Sequence, residues 1–319
     1  MSGAVLLHLI TYAALAIFVV VVAVRFFRIS AMPMHLRWEL YPVAHEGGEK
    51  AKYGGSRLEE IDWWTKPKET SRFNELRAMI PEMTFLVALF EHNRKLWWWS
   101  FPFHFGLYIL TGMLGLIVLG AVMGIFGATI AADSTQAGIL GSFVYHLTQV
   151  AAVLGLTLAT VGAAGLLHRR LHDPDLKDYT SPAAILNLVL FLAVFAVAWI
   201  TFIFVDTGFV LTRSYIQSLI TLNISASTGS FLLSLEILLA VLLIAYIPMT
   251  HMSHFFIKWF TYHKIRWDDE PSSVGGAIEK KVMEQVQYPV SWAAPHINAD
   301  GKKNWVDIAT EEIAKEEKK

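Results

Sequence analysis

The sequence predicts an all-α membrane protein in which five transmembrane helices form a bundle. Hydrophobic residues make up 55% of the 319 residues and charged residues only 17%, which is less charge than a soluble domain of this size carries. Five apolar stretches are long enough to cross the roughly 30 Å hydrocarbon core. They are predicted to be helices, because a helix satisfies its own backbone hydrogen bonds in lipid. These stretches are residues 4–24, 98–124, 138–167, 183–205 and 231–257.

The first stretch is predicted to be an uncleaved helix rather than a signal peptide. No basic residue precedes it, and no Ala-x-Ala cleavage site lies between the end of its apolar run and Arg25. Its apolar run of about 20 residues is also long for a signal peptide. We therefore expect the N-terminus to lie outside the cell.

The basic residues predict the orientation of the bundle. If Arg25–Lys95, residues 168–182 and everything after Lys258 share one side, that side holds 25 of the 26 Lys and Arg residues, and the other side holds only Arg213. The positive-inside rule makes the basic side cytoplasmic. We expect a five-helix membrane domain over 1–257 with a cytoplasmic insertion at 25–96, and a cytoplasmic C-terminal tail at 258–319.

The connecting segments show no strong apolar period, so neither cytoplasmic segment looks like a domain with its own core. A short helix is expected over 72–95 with an interruption at Pro81, and residues 216–224 could lie along the outer surface as an amphipathic piece. The cytoplasmic segments are either solvated or form a docking surface for a cytoplasmic partner. Their candidate docking residues are Trp63, Trp64, Trp292 and Trp305.

The chain has no cysteine. Iron–sulfur clusters, thiolate zinc sites and covalent c-type haem are therefore excluded within it. No glycine-rich nucleotide loop occurs in a strand–helix setting, and nothing indicates nucleic-acid binding. Any redox cofactor must be non-covalent and held by other ligands.

Histidines at membrane depth predict a cofactor site. Ionisable groups in a membrane are rare and usually functional. Interhelical hydrogen bonding or interface anchoring explains a single histidine better, but four on four different helices favour cofactor ligation. They are His8, His104, His146 and His254, and His251 lies one turn before the last.

The depths of these histidines sort them into pairs. With about 1.5 Å of rise per residue, His104 and His254 lie roughly 6–13 Å from the cytoplasmic edge, and His8 and His146 roughly 25–35 Å from it. Two pairs at two depths suit two bis-histidine b-type haems stacked across the bilayer. His251 could replace His254 as a ligand or bond to a haem propionate.

Several strings resemble a known family of membrane cytochromes. "PFHFGL" around His104 and "PMTHMSHFF" around His254 are similar to the inner-haem ligand motifs of the nitrate-reductase gamma-subunit family of cytochromes b. "MHLRWELYPVAHE", "YGGSRLEEIDWWTKP" and "EHNRKLWWWSFPFHFGLY" closely resemble the DsrM/TmcC-type subunit of sulfate-reducer membrane redox complexes. This resemblance favours His254 over His251 as the inner ligand.

The resemblance implies partners and a substrate. It implies a haem b subunit linked to menaquinol and menaquinone in sulfate respiration, located in the cytoplasmic (inner) membrane. The implied partners are a cytoplasmic iron–sulfur subunit related to heterodisulfide reductase, and other membrane and periplasmic (multihaem cytochrome c) subunits. The chain would then be the quinone-interacting subunit of an oxidoreductase complex of the quinol dehydrogenase type.

The sequence departs from the family at the outer haem. Leu114 and Glu236 occupy the positions of the family's outer-haem histidines. The outer haem is therefore either missing or moved to His8 and His146, and the depth argument favours the second. Glu236 becomes a candidate proton acceptor for quinol, because a partly buried carboxylate has a raised pKa. The alternative is an interfacial Glu hydrated at the membrane surface. Weaker polar candidates near it are Tyr145, Gln149 and Asp206.

The functional prediction is electron transfer between a quinone pool and a cytoplasmic iron–sulfur subunit. Two other classes remain open: a non-redox membrane anchor for a soluble complex, and a proton-coupled transporter that uses the same histidines. The absence of an inverted-repeat pattern counts against a transporter.

Overall fold

The computed structural model describes residues 2–31, 61–62, 65–67, 71–257, 274–292, 297 and 299–311. In this part of the chain the regular elements are helices, and five of them are long and apolar enough to cross a membrane. The predicted all-α five-helix bundle is therefore confirmed. The five are α1 (Gly3–Ala31), α4 (Arg94–Ile125), α5 (Ser134–His172), α7 (Pro182–Phe204) and α9 (Phe231–Tyr246).

Within the described residues, six shorter α-helices connect or follow these spans. Two precede α4, one follows α5, one lies between α7 and α9, and two belong to the C-terminal tail. They are α2 (Arg72–Phe85), α3 (Val87–His92), α6 (Pro174–Lys177), α8 (Val210–Ile220), α10 (Ala277–Gln285) and α11 (Trp305–Thr310).

The chain divides into two compact units. The first comprises residues 1–21 and 79–252, and the second comprises residues 22–78 and 253–319. The first unit contains most of the membrane bundle. In the second unit the tail forms a small fold of its own: Val290 N donates to Lys303 O at 2.9 Å, and Ile278 and Val290 are buried.

The core of the first unit lies between α4, α5 and α7. Phe103, Phe191 and Phe195 pack there with Leu156 and Leu243. The Phe103 and Phe191 rings meet edge to face at 5.2 Å. A smaller apolar contact joins α1 to α9, and another joins α4, α5 and the start of α8.

Small residues let α4 and α5 approach at backbone distance. A Cβ added at Gly106 would collide with the backbone of Ala159, and one added at Gly162 would collide with the backbone of Phe103. Ala159 and Ala163 are completely buried. Between membrane helices, where burial of apolar surface gives little driving force, such close packing is a main source of association.

Two predicted boundaries are wrong, both at prolines. Residues 72–95 do not break at Pro81, which lies inside α2; the chain turns instead at Leu86, whose backbone is left-handed with φ 54°. The fifth span does not continue as an α-helix to 257, because α9 ends at Tyr246 and a 3₁₀ turn holds Pro248. Pro248 accounts for this end of the α-helix, because proline removes a backbone donor.

The outer segment predicted at 216–224 is also a helix, but it begins earlier. The helix α8 starts at Val210 and ends at Ile220, and it buries Arg213, Tyr215 and Ser218. It therefore packs into the bundle rather than resting on its surface. Trp63, Trp64 and the family-like strings before residue 61 lie outside the described residues.

We predict that Gly106→Ala destabilises the protein by about 1–3 kcal/mol, because the added methyl must push α4 away from α5. Thermal unfolding of the detergent-purified protein measures the change. Gly112→Ala is the matched control in the same helix, since its Cβ would meet nothing within 4 Å. Equal midpoints for the two variants would contradict the close contact.

Candidate functional site

His104 lies in α4, and one of its ring nitrogens is hydrogen-bonded to the backbone. Its Nδ1 lies 2.7 Å from the carbonyl oxygen of Ser100, one turn earlier. A carbonyl only accepts, so Nδ1 carries a proton. Metal-binding histidines are commonly oriented by this kind of bond. His104 therefore fits the role of a haem ligand in its tautomer and in its place within a span.

His251 and His254 occupy different parts of the structure. His251 begins a short 3₁₀ turn, His251–Ser253, and lies next to the last residue of the first unit's 79–252 segment. His254 belongs to the second unit and begins the helical residues 254–257. The helical spacing assumed for this pair in the sequence therefore does not continue through His251.

His8 is held by protein atoms on both sides of its ring. It is fully buried, with Nδ1 2.8 Å from Ala4 O and Nε2 2.8 Å from the Ser218 hydroxyl. The ring also packs on Tyr215 at 4.7 Å. Its contacts join α1 to α8, which makes His8 an interhelical hydrogen-bonding residue in this structure.

His146 is exposed on α5. Its Nε2 lies 3.2 Å from the carbonyl oxygen of Ala132 in the connection between α4 and α5. Because a carbonyl only accepts, this nitrogen carries a proton. The contacts of His146 and those of His8 share no residue. Iron binding by His8 would require it to give up one of its two hydrogen bonds, and the outer haem between His8 and His146 stays a prediction.

Glu236 lines a small cavity inside the first unit. The cavity measures about 30 Å³, enough for one or two water molecules. Its polar lining comes from α7, α8, α9 and the loop before α8, and its remaining walls are apolar. The polar residues are Glu236, Asp206, Thr201 and Thr212. Glu236 thus faces the bundle interior, where an ionisable side chain of a span normally marks a function.

Asp206 is buried and caps α8. Its Oδ1 accepts from Leu211 N at 3.1 Å, and its Oδ2 accepts from the Thr212 amide and hydroxyl, both at 2.7 Å. Capping of this kind satisfies helix donors that have no backbone partner. Asp206, a weak candidate in the sequence, is therefore a structural residue that also lines the cavity of Glu236.

Arg213 follows one residue after the capped donors and is also buried. Its Nη2 donates to Ile130 O at 3.4 Å. Burial lowers the pKa of Arg213, and the negative charge of Asp206 opposes that shift. Arginine stays charged at neutral pH even so. The single basic residue of the predicted outer side is therefore a buried cation near a buried anion.

Three polar residues of α8 were missed by the sequence reasoning. Besides the His8 contact of Ser218, the Tyr215 hydroxyl lies 2.7 Å from Thr11 Oγ1, and the Thr212 hydroxyl bonds to Asp206. Their spacing of three residues places them along α8, and this polar row was the available signal. The weak candidate Gln149 bridges α5 to the connection before α8, with Nε2 2.6 Å from Thr207 O.

The fold and these buried polar groups define a class: an all-α protein with five helices suited to span a membrane and an acidic cavity among them. Comparison of the chain with protein-family models, with curated proteins and with solved structures finds no match in any of the three.

We predict that Asp206→Ala lowers the free energy of unfolding by about 2–4 kcal/mol. The substitution removes three hydrogen bonds from α8 and leaves the buried Arg213 without its nearby anion. Thermal unfolding measures the loss.

The matched control is Asp133→Ala, which removes the exposed cap of α5, a bond from Thr135 N at 2.8 Å. Loss of such an exposed cap costs about 1 kcal/mol. A smaller effect at Asp206 than at Asp133 would contradict the buried charge arrangement.

Proposed function

We propose that the protein is the haem b membrane subunit of a respiratory complex that transfers electrons between menaquinol or menaquinone and a cytoplasmic iron–sulfur subunit. The observation that carries the proposal is the orientation of His104, whose Nδ1 bond to Ser100 O holds the imidazole ring in place inside a span. The resemblance of the sequence around His104 and His254 to inner-haem motifs supports the same cofactor.

His104 and His254 would hold the haem, with His251 as the alternative second ligand. A bound haem b supplies one-electron transfer within the membrane. The chain's own contribution is to place imidazoles on separate segments and, at His104, to hold the proton on Nδ1. No electron-transfer step is assigned to His8 and His146.

Glu236 would accept a proton when quinol is oxidised. Quinol oxidation releases two protons with two electrons, so the site needs a base that can pass protons on. The cavity beside Glu236 has room for water and a second carboxylate, Asp206. Since Asp206 is occupied by α8 donors, Glu236 is the residue of the pair that can exchange protons.

The soluble partner would dock on the side that carries most of the basic residues. The proposal takes this side as cytoplasmic, so the protein would lie in the cytoplasmic membrane with its C-terminus inside. In the tail, Trp292 is exposed and its ring lies 6.1 Å from that of Trp305. Exposed tryptophans are common at interfaces. The proposed partners are a heterodisulfide-reductase-like iron–sulfur subunit and, within the same complex, other membrane and periplasmic multihaem cytochrome c subunits.

The test of the cofactor is a reduced-minus-oxidised spectrum of the purified chain with haem quantification. We expect one haem b per chain, lost in His104→Ala and retained in His146→Ala and His8→Ala. A colourless wild-type protein would overturn the proposal and leave the non-redox anchor or the transporter. Two haems in the wild type, with one lost in His146→Ala, would instead support an outer haem held by His8 and His146.

We predict that Glu236→Gln lowers the rate of haem reduction by a menaquinol analogue by about 100-fold, the range that a general base supplies. Reduction by dithionite and the haem content should stay unchanged. Asp133→Asn is the matched control, because it alters an exposed carboxylate outside the cavity. Equal quinol rates in wild type and Glu236→Gln would remove Glu236 from the proton path.

A further inference from the structure

Residues 79–92 form a helical hairpin that lies along α4. The hairpin comprises the end of α2, the left-handed Leu86 and all of α3. The Tyr108 hydroxyl donates to Met83 O at 2.8 Å, and Trp97 Nε1 donates to Phe85 O at 2.7 Å. The Phe85 ring stacks on the Phe101 ring of α4 at 6.3 Å.

These contacts reach far along a membrane span. The partner Tyr108 is 14 residues past Arg94, roughly 21 Å along the axis of α4. The α4 stretch between them contains the aromatic column Trp97, Phe101 and Phe105, whose rings stack at 4.7 and 5.3 Å. The Met83 end of the hairpin therefore lies toward the middle of α4, and the turn after Phe85 lies at the level of Trp97 and Phe101.

Several backbone groups of the hairpin have hydrogen-bond partners within the protein where it passes α4. The last carbonyls of a helix have no backbone partner, but those of Met83 and Phe85 are bonded by α4. Glu82 Oε2 accepts from Ala88 N at 2.8 Å, which turns its carboxylate onto the start of α3. The Phe90 amide donates to Leu86 O at 2.9 Å. Internal satisfaction of this kind is what a lipid environment requires of a backbone.

On the α2 side of the turn, the exposed side chains of the hairpin are apolar, whereas Glu91 and His92 are exposed at the end of α3. Ile80 is 53% exposed, Met83 41% and Phe85 54%. They continue the exposed surface of α4, where Trp98 and Tyr108 are also open. Tryptophan and tyrosine prefer the membrane–water boundary, so the hairpin surface is continuous with a surface that faces lipid.

We propose that the α2 side of the 79–92 hairpin, residues 79–86, is embedded in the membrane leaflet at the N-terminal end of α4, with Ile80, Met83 and Phe85 in contact with acyl chains. The occupant of this surface is lipid, because α4 bonds two terminal carbonyls of α2 and the exposed side chains on this part of the hairpin are apolar. The hairpin is then a membrane-inserted element, and the insertion between the first two spans is not wholly aqueous. This inference is independent of any haem.

The native chain has no cysteine, so single-cysteine variants can be labelled cleanly. We would attach a nitroxide spin label to Ile80→Cys, Met83→Cys and Phe85→Cys in the full chain, reconstituted in phosphatidylcholine–phosphatidylglycerol vesicles. The measurement compares collisions with oxygen, which concentrates in lipid, and with a water-soluble nickel chelate. We expect a several-fold higher oxygen-to-nickel ratio at all three positions than at Glu91→Cys.

Two controls bracket the result. Glu91 is exposed at the end of α3 and represents the aqueous side, and Leu114 is exposed in the middle of α4 and represents lipid. Nickel accessibility at 83 and 85 equal to that at 91 would overturn the proposal in favour of a solvated surface. Protection from both reagents would overturn it in favour of a protein-covered surface. Unchanged thermal unfolding of each labelled variant confirms that it is folded.

Discussion

The backbone contact between α4 and α5 is the constraint on which the rest of the bundle depends. Gly106 and Gly162 allow the two helices to touch without intervening side chains. This contact fixes the face of α4 on which Phe103 enters the core. It also leaves the opposite aromatic column, from Trp97 to Phe105, to receive the 79–92 hairpin. One close contact therefore divides α4 into a protein-packed face and an aromatic face.

Buried polar groups were easier to predict as a set than one at a time. Ionisable residues at membrane depth were interpreted as marks of functional sites. Glu236 and Asp206 were expected to lie near one another, and both line the same cavity. The sequence could not separate their roles, because capping by Asp206 depends on where α8 begins. It also could not show that the ring nitrogens of His8 are engaged by Ala4 and Ser218. Depth along a helix says nothing of the direction in which a side chain points.

The five spans were predictable because their length and hydropathy are local properties of the chain. The short elements were not, since tertiary contacts decide them. Pro81 lies within α2 without breaking it. Leu86 adopts the left-handed backbone conformation, which glycine would favour. The hydroxyl of Tyr108 and the indole of Trp97 stabilise the carbonyls at that helix end. No pattern within residues 72–95 contains those two donors, so the position of the turn could not be read from them.

The seam between α1 and α8 has a consequence for biosynthesis. Besides the bonds of His8 and Thr11 described above, the Tyr12 hydroxyl donates to Leu219 O at 2.7 Å. The partners are separated by more than 200 residues of sequence. At about 5–20 residues per second, the ribosome needs roughly ten to forty seconds to make that stretch. The first span must therefore remain in the translocation machinery or the bilayer for that time, with its polar side chains hydrated. Its contacts with α8 form only after four of the five spans have been synthesised.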